Sequence, residues 1–248
     1  MADASPPPDV APLILAERVG DVLWLTLNRP AQLNAVSMAM RDELWAQLCL
    51  LRDDPTIHVA VIHGAGERAL SAGADITEFG TAPSYIDARR ARQERDVWGV
   101  MAALPVPIIA AMQGFAFGAG LEMSLYCDLR VASEDATFAL PEVKLGYIPS
   151  AGGSQLAAKY LPSGDAVRLV ASGEPNDAAE AYRLGLVHAV VPKAELLATA
   201  REWAEAIASA PAAAMRATKR AVVEGLDLPL GEGVVLERRL AARAAAER

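Results

Sequence analysis

The chain has 248 residues, a net charge of −8 at pH 7 and a composition that is 53% hydrophobic but only 5% aromatic. That length fits one large domain, or a domain with a helical appendage, whose core is built from Ala, Leu, Val and Ile. A sequence pI near 5.0 argues against general nucleic-acid binding, and no apolar run reaches the ~18 residues of a membrane-spanning helix.

Residues 1–9, with three consecutive prolines and neither a basic start nor an apolar run, read as a lead-in rather than a signal peptide. Leu13–Val19 and Asp21–Leu27 are short β-rich runs joined at Gly20, a hairpin signal. Ser37–Asp54 has helical spacing, with Met40, Leu44, Leu48 and Leu51 on one face. His58–His63 and Pro107–Met112 read as buried strands, with a charged helix-like stretch at Asp87–Trp98 between them. Asp128–Ser133 gives a further strand. From Gly153 onward the pattern is helical. Gly173 and Gly185 fall where helices would end, Pro175-Asn176 suits a start, and Leu186–Val191 is one more strand. The remainder is Ala-rich helix, with Pro211 near one start and Gly225 near one end. This order indicates an α/β core over residues 12–192 and a helical region over 193–248. Cys49 and Cys127 stand in no metal-like spacing, which fits a reducing, cytoplasmic setting and no metal site.

Two carboxylates fall in segments that carry them toward an apolar interior. Glu122 ends Gly114-Phe-Ala-Phe-Gly-Ala-Gly-Leu-Glu, and Glu142 lies in Phe138-Ala-Leu-Pro-Glu-Val. Such a carboxylate is costly unless paired or hydrogen-bonded, and two at one site acquire separated pKa values, as acid/base chemistry needs. The plain alternative is a first-turn glutamate favoured by the helix dipole and a solvated loop glutamate.

The glycine-rich segments decide between these. Gly64-Ala-Gly66-Glu-Arg-Ala69 follows a strand, but a dinucleotide loop requires a helix to open there, and Ser71-Ala-Gly73-Ala-Asp75 intervenes. Gly118-Ala-Gly120 precedes a helix but has Met123 where the third glycine belongs. Ser71 lacks the first glycine of a nucleophile elbow, and His58, His63 and His188 read as strand residues. Glycine also lets a ligand carbonyl approach backbone N–H groups closely. Gly73-Ala74 offers one such turn, and Gly118-Ala119 a second at a helix N-terminus. Two convergent donors make an oxyanion hole, with Glu122 one helical turn away, which suits chemistry passing through an enolate.

These segments resemble the enoyl-CoA hydratase/isomerase (crotonase) family over roughly residues 12 to 240. Leu27-Asn-Arg-Pro-Ala-Gln-Leu-Asn-Ala35, Gly64 to Ile76, Gln113 to Glu122, Cys127-Asp128, and Pro141-Glu142 with Gly146 to Gly153 match its signatures in order and spacing. The resemblance implies an α/β fold of ββα units wound into a spiral, with C-terminal helices that pack homotrimers or homohexamers. It implies an acyl-CoA thioester substrate, with coenzyme A part of the substrate and no metal or redox cofactor. The N–H groups of Ala74 and Ala119 would hold the thioester oxygen. Glu122 and Glu142 would be the catalytic pair, whose joint retention selects hydration over isomerisation or a non-catalytic assembly role. Gly73, Asp75, Ile76, Gly118 and Ser150 fall at substrate or CoA contacts, with Arg29 and Arg68 as phosphate partners. Ala119 and Ser150 stand where many members carry glycine. The chain stops at Glu247-Arg248, before the basic tail common in the family, so the nucleotide is expected to be held weakly. The apolar face of the last helix, with Val234, Val235, Leu236 and Leu240, is expected to be too exposed on a lone subunit to be left in water and so to contribute to packing between subunits. Residues 77–104, including Tyr85 and Trp98, are expected to line the acyl pocket.

Overall fold

The computed structural model describes residues 11–246 apart from 82, 85 and 87–93. The lead-in, Tyr85 and most of the charged stretch expected as a helix at Asp87–Trp98 thus lie outside the described residues.

Two sheets organise the chain. The larger contains β1 (Ile14–Val19), β2 (Val22–Leu27), β3 (Val59–Gly64), β5 (Ile108–Met112), β7 (Leu129–Ser133) and β10 (Ala189–Val191), in that spatial order. The smaller contains β4 (Ala69–Ser71), β6 (Phe115–Phe117), β8 (Thr137–Ala139) and β9 (Asn176–Asp177). β1 and β2 form the hairpin, antiparallel with Val19 opposite Val22. The other neighbours in the large sheet are parallel, as are β4, β6 and β8; β9 closes the small sheet antiparallel to β8. From β3 onward the chain gives one strand to each sheet in turn: β3 then β4, β5 then β6, β7 then β8. This is the expected spiral of ββα units.

Among the described residues the helices with defined bounds are, in chain order, α1 (Met38–Asp53), α2 (Val97–Ala103), α3 (Ala119–Tyr126), α4 (Gly153–Tyr160), α5 (Ser163–Ser172), α6 (Ala178–Leu184), α7 (Leu196–Ala208), α8 (Ala212–Gly225) and α9 (Leu230–Ala246). Ser37 caps α1, its hydroxyl accepting the N–H of Met40 at 3.2 Å. Met40, Leu44, Leu48 and Leu51 are fully buried, as the helical spacing requires. Each contributes about 1.5–3 kcal/mol of burial.

Parallel strands covered on both faces read as continuous apolar runs rather than alternations, and β3 and β5 do so. One face of the large sheet, through Leu23, Leu25, Ile62 and Ala110, packs on α1 and the small sheet. The other, through Val22, Trp24, Val59, Val61 and Ile109, lies under Leu196, Ala200 and Ala204 of α7. The spacing of four puts these three on one helix face. So α7 belongs physically to the core, and α8 and α9 are the helices beyond it.

Three local expectations need correction. Pro175-Asn176 does not start a helix: Asn176 pairs with Phe138 across β9 and β8, and α6 starts at Ala178 under an Asp177 cap that accepts the N–H of Glu180 at 2.8 Å. The run Leu186–Val191 is a strand only from Ala189, because the N–H groups of Leu186 and Val187 bond back to the Ala181 carbonyl and close α6. Leu236 and Leu240 do not wait for a neighbouring subunit; α9 folds back along α8 and buries both within one chain, while Val235 stays exposed.

Candidate active site

Each chemical segment begins where a strand of the small sheet ends. β4 runs into Gly73-Ala74, β6 into Gly118-Ala119 and α3, and β8 into the short 3-10 helix that carries Glu142. Because the three strands are parallel neighbours, their carboxyl ends lie on one side, and the segments converge there. Ligand sites in open α/β sheets lie at that end for the same reason.

The first turn is tightly braced. Val36 N–H donates to the Gly73 carbonyl at 2.8 Å and Asp75 N–H to the Val36 carbonyl at 3.0 Å. Ser71 Oγ donates to the Asn34 carbonyl at 2.8 Å and accepts the Gly73 N–H at 3.2 Å, so this serine holds the turn and is no free nucleophile. The N–H of Ala74, between these bonds, donates to no backbone acceptor among the described residues. Gly73 has φ +107°, and a Cβ there would stand 3.1 Å from the Phe117 carbonyl and 3.7 Å from the Ala119 nitrogen. The turn and the N-terminus of α3 are therefore in contact. Ala119 is the first residue of α3, where an N–H has no intrahelical partner. The two expected donors come together.

Glu122, on α3, is 3% exposed, and its Oε1 accepts the N–H groups of Ala151 and Gly153 at 2.9 Å each. Burial pushes its carboxyl up, and the two amides only partly offset this. Glu142 is 5% exposed. Its Oε2 is buried and bonded by no group among the described residues. Burial above all, with the Glu122 charge adding, pushes its carboxyl up to about 7 against its own backbone N–H. Gly118 has φ +48°, and a Cβ there would lie 3.0 Å from Glu142 Oε1, which places this carboxylate against the oxyanion segment.

The remaining expected residues divide. Asp75 caps the turn after Ala74, bonded by the Thr77 hydroxyl at 2.7 Å and the Arg29 guanidinium at 2.9 Å. Thr77 first, then Arg29, hold its carboxyl below the usual range. Arg29 also donates to the Ala35 carbonyl at 2.7 Å, so the fold already engages its guanidinium. Ile76, Arg68 and Ser150 are exposed, and Gly73 and Gly118 are buried. The histidines hold structure: His63 meets the Thr26 hydroxyl at 2.9 Å, His58 the Ala208 carbonyl at 3.2 Å, and His188 accepts the Arg130 N–H at 3.0 Å.

Sequence reasoning named Ser150 but missed Ala151 and Gly153 as the groups that hold Glu122. The signal was available: Gly152-Gly153 opens α4, and free N–H groups at a helix start attract a carboxylate.

A family model described as enoyl-CoA hydratase/isomerase matches residues 17–248. The chain is 41% identical over 227 residues to a protein of Mycobacterium bovis named a probable enoyl-CoA hydratase, covering 92% of this chain and 87% of that one. It is 40% identical to (E)-benzylidenesuccinyl-CoA hydratase of Thauera aromatica over 219 residues, 86% of this chain and 83% of that one. A crystal structure of enoyl-CoA hydratase from Bacillus anthracis superposes with a TM-score of 0.89 at 35% identity, covering 95% of this chain and 92% of that one.

Proposed function

Since the chain belongs to the enoyl-CoA hydratase/isomerase family, we propose that it adds water reversibly across a trans-2-enoyl-CoA to give a 3-hydroxyacyl-CoA. The observation that carries this is the pair of buried carboxylates, Glu122 and Glu142, beside the N–H groups of Ala74 and Ala119. The thioester oxygen accepts from those two N–H groups. Glu122, held as a carboxylate acceptor by Ala151 and Gly153, takes a proton from water as the water oxygen bonds C3. Glu142, whose raised pKa keeps much of it protonated near neutrality, gives a proton to C2. Hydroxyl ends on C3 and hydrogen on C2, and the second proton stays on Glu122 until it returns to Glu142 or solvent. The oxyanion donors accelerate the step only as far as they bind the enolate-like oxygen better than the ground-state carbonyl.

Hydration involves no net oxidation or reduction, so no redox cofactor enters the proposal, and no metal is assigned a role; chelator treatment is expected to leave the rate unchanged. We assign the chain to the cytoplasm and to a homotrimer or homohexamer. Unpaired Cys49 and Cys127 support the first, and no helix among the described residues is long and apolar enough to cross a membrane. Exposed Val222, Leu226, Val235 and Leu230, the last 84% exposed, support the second, with subunit mass by light scattering as the check.

The deciding experiment follows loss of conjugated-enoyl absorbance with a panel of trans-2-enoyl-CoA thioesters. Formation of 3-hydroxyacyl-CoA supports the proposal. Double-bond migration without water uptake would replace it with an isomerase, and no turnover of any thioester would leave a non-catalytic protein.

A further inference from the structure

Thirteen aromatic side chains serve the whole chain, and four of them flank the two carboxylates. Phe79 and Tyr147 meet edge to face, with ring centroids 5.8 Å apart and planes at 66°. The N–H of Tyr147 donates to the Glu142 carbonyl at 3.2 Å, and Phe79 ends the short helix that follows Ala74 and Asp75. This pair thus joins the oxyanion turn to the Glu142 segment. Trp98 and Tyr126 stack at 5.9 Å with planes at 19°. Tyr126 lies four residues after Glu122 on α3, on the same helix face. One aromatic pair is thus tied to the Glu142 segment and the other to the helix that carries Glu122. The fields of the carboxylates reach both phenols: beyond burial, Tyr147 is raised by Glu142 and Glu122, and Tyr126 by Glu122 and Asp96.

Core packing accounts for only part of these rings. Phe79 is 48% exposed and Tyr147 36%, whereas Trp98 and Tyr126 pack against the core with one part of each ring system left accessible. A chain so poor in aromatic residues could have lined this surface with the aliphatic side chains it uses elsewhere. What a ring wall offers over an aliphatic one is edge and face contact with another ring, worth about 0.5–1.5 kcal/mol per pair beyond buried area. A linear alkyl chain gains only the area.

We propose that Phe79, Trp98, Tyr126 and Tyr147 are specificity-determining residues, and that the acyl group they take carries an aromatic ring on or next to C3. This deepens the hydratase reading and rests on it. The bond changes are those given above; a ring conjugated with C2=C3 loses that conjugation on hydration, so the reaction is to be followed in both directions.

The test compares kcat/KM of the full chain for crotonyl-CoA, trans-2-hexenoyl-CoA and cinnamoyl-CoA, the last also by dehydration of 3-hydroxy-3-phenylpropionyl-CoA. The ring substrate is expected to exceed hexenoyl-CoA by about tenfold or more, which is about 1.4 kcal/mol and within reach of two ring contacts. Tyr147→Leu and Trp98→Leu are each expected to lower that ratio by at least threefold, on the order of one lost ring contact. Calorimetry supplies a readout independent of turnover: 3-phenylpropionyl-CoA is expected to bind more tightly than hexanoyl-CoA, and Tyr147→Leu to narrow the gap. A preference for hexenoyl-CoA, or a ratio that neither substitution moves, overturns the proposal while hydration of crotonyl-CoA keeps the hydratase reading. Tighter phenylpropionyl binding with no hydration of any enoyl-CoA overturns the hydratase reading and leaves the ring pocket standing.

Discussion

Gly118 and Glu142 share a space that takes a methyl group only if the carboxylate gives way: a Cβ on Gly118 would lie 3.0 Å from Glu142 Oε1, on a backbone at φ +48° and ψ −124°. Gly118→Ala strains the backbone and displaces the carboxylate together. It is expected to cost about 1–3 kcal/mol of stability and roughly tenfold or more in kcat, since small misplacements of a reacting group are expensive. Denaturant unfolding and steady-state kinetics read the two effects separately. An unchanged kcat would show that Glu142 is not placed by this contact.

Glu122→Gln and Glu142→Gln are each expected to lower kcat by roughly 10²–10⁴. The double variant is expected to lose much less than the product of the two, because both groups act in one addition step. Multiplicative losses would mean that they serve separate steps.

The Glu142 carboxyl, held near 7 by burial, sits above its unfolded value of about 4.3. Folding therefore favours the protonated form, and this contribution, complete below about pH 4, disappears as pH rises through 7. Glu142→Gln stays neutral throughout. It is expected to gain on the order of 1–3 kcal/mol over the parent at pH 8 relative to pH 4, measured by thermal unfolding at both. In kinetics, kcat/KM for hydration is expected to fall on the alkaline side as Glu142 loses its proton and on the acid side as Glu122 gains one. The apparent values belong to the pair, and Glu142→Gln should remove the alkaline limb from the residual activity.

Ala119→Pro deletes one oxyanion donor at the first position of α3, where proline is readily accepted. A loss on the order of 10²–10³ in kcat is expected, with far-UV circular dichroism unchanged. Full activity in a folded variant would place the thioester oxygen elsewhere.

Arg29 and Arg68 are expected to part company. Arg29 is tied to Asp75 and the Ala35 carbonyl, so Arg29→Ala loosens the Ala74 turn and should lower kcat equally for CoA and pantetheine thioesters. Arg68 is exposed, with no ion pair among the described residues. Arg68→Ala should raise KM for CoA thioesters alone, by roughly two- to fivefold for one exposed charge contact. The reverse pattern would make Arg29 the phosphate ligand.

The long periodic elements are legible in the sequence. Met40, Leu44, Leu48 and Leu51 repeat at helical spacing, and Val59–Ile62 is a run that only a doubly covered strand can bury. The site segments were legible as glycine patterns around Ala74, Ala119 and the two glutamates. What could not be read was the small sheet. β4, β6 and β8 have three residues each, too few for an alternation to show, and they pair through residues tens of positions apart. Without that sheet, the convergence of Gly73, Gly118 and Glu142 had no physical cause. Ala151 and Gly153 were hidden for a related reason: they act through backbone N–H groups, which leave no side-chain signature.

A spiral of parallel strands has no intrinsic last turn, and its two ends could template the addition of further chains. Here both margins of the large sheet are blunted. β1 reverses direction against β2, turns most of its side chains to water and carries the charged Glu17 and Arg18 in its second half; Arg18 also folds back onto the carbonyls of Gly20 and Thr56 at 2.9 and 3.1 Å. β10, at the opposite margin, is only three residues long. Short or charged margins of this kind offer an incoming strand little to pair with, so the same winding that assembles the catalytic loops does not invite fibril growth.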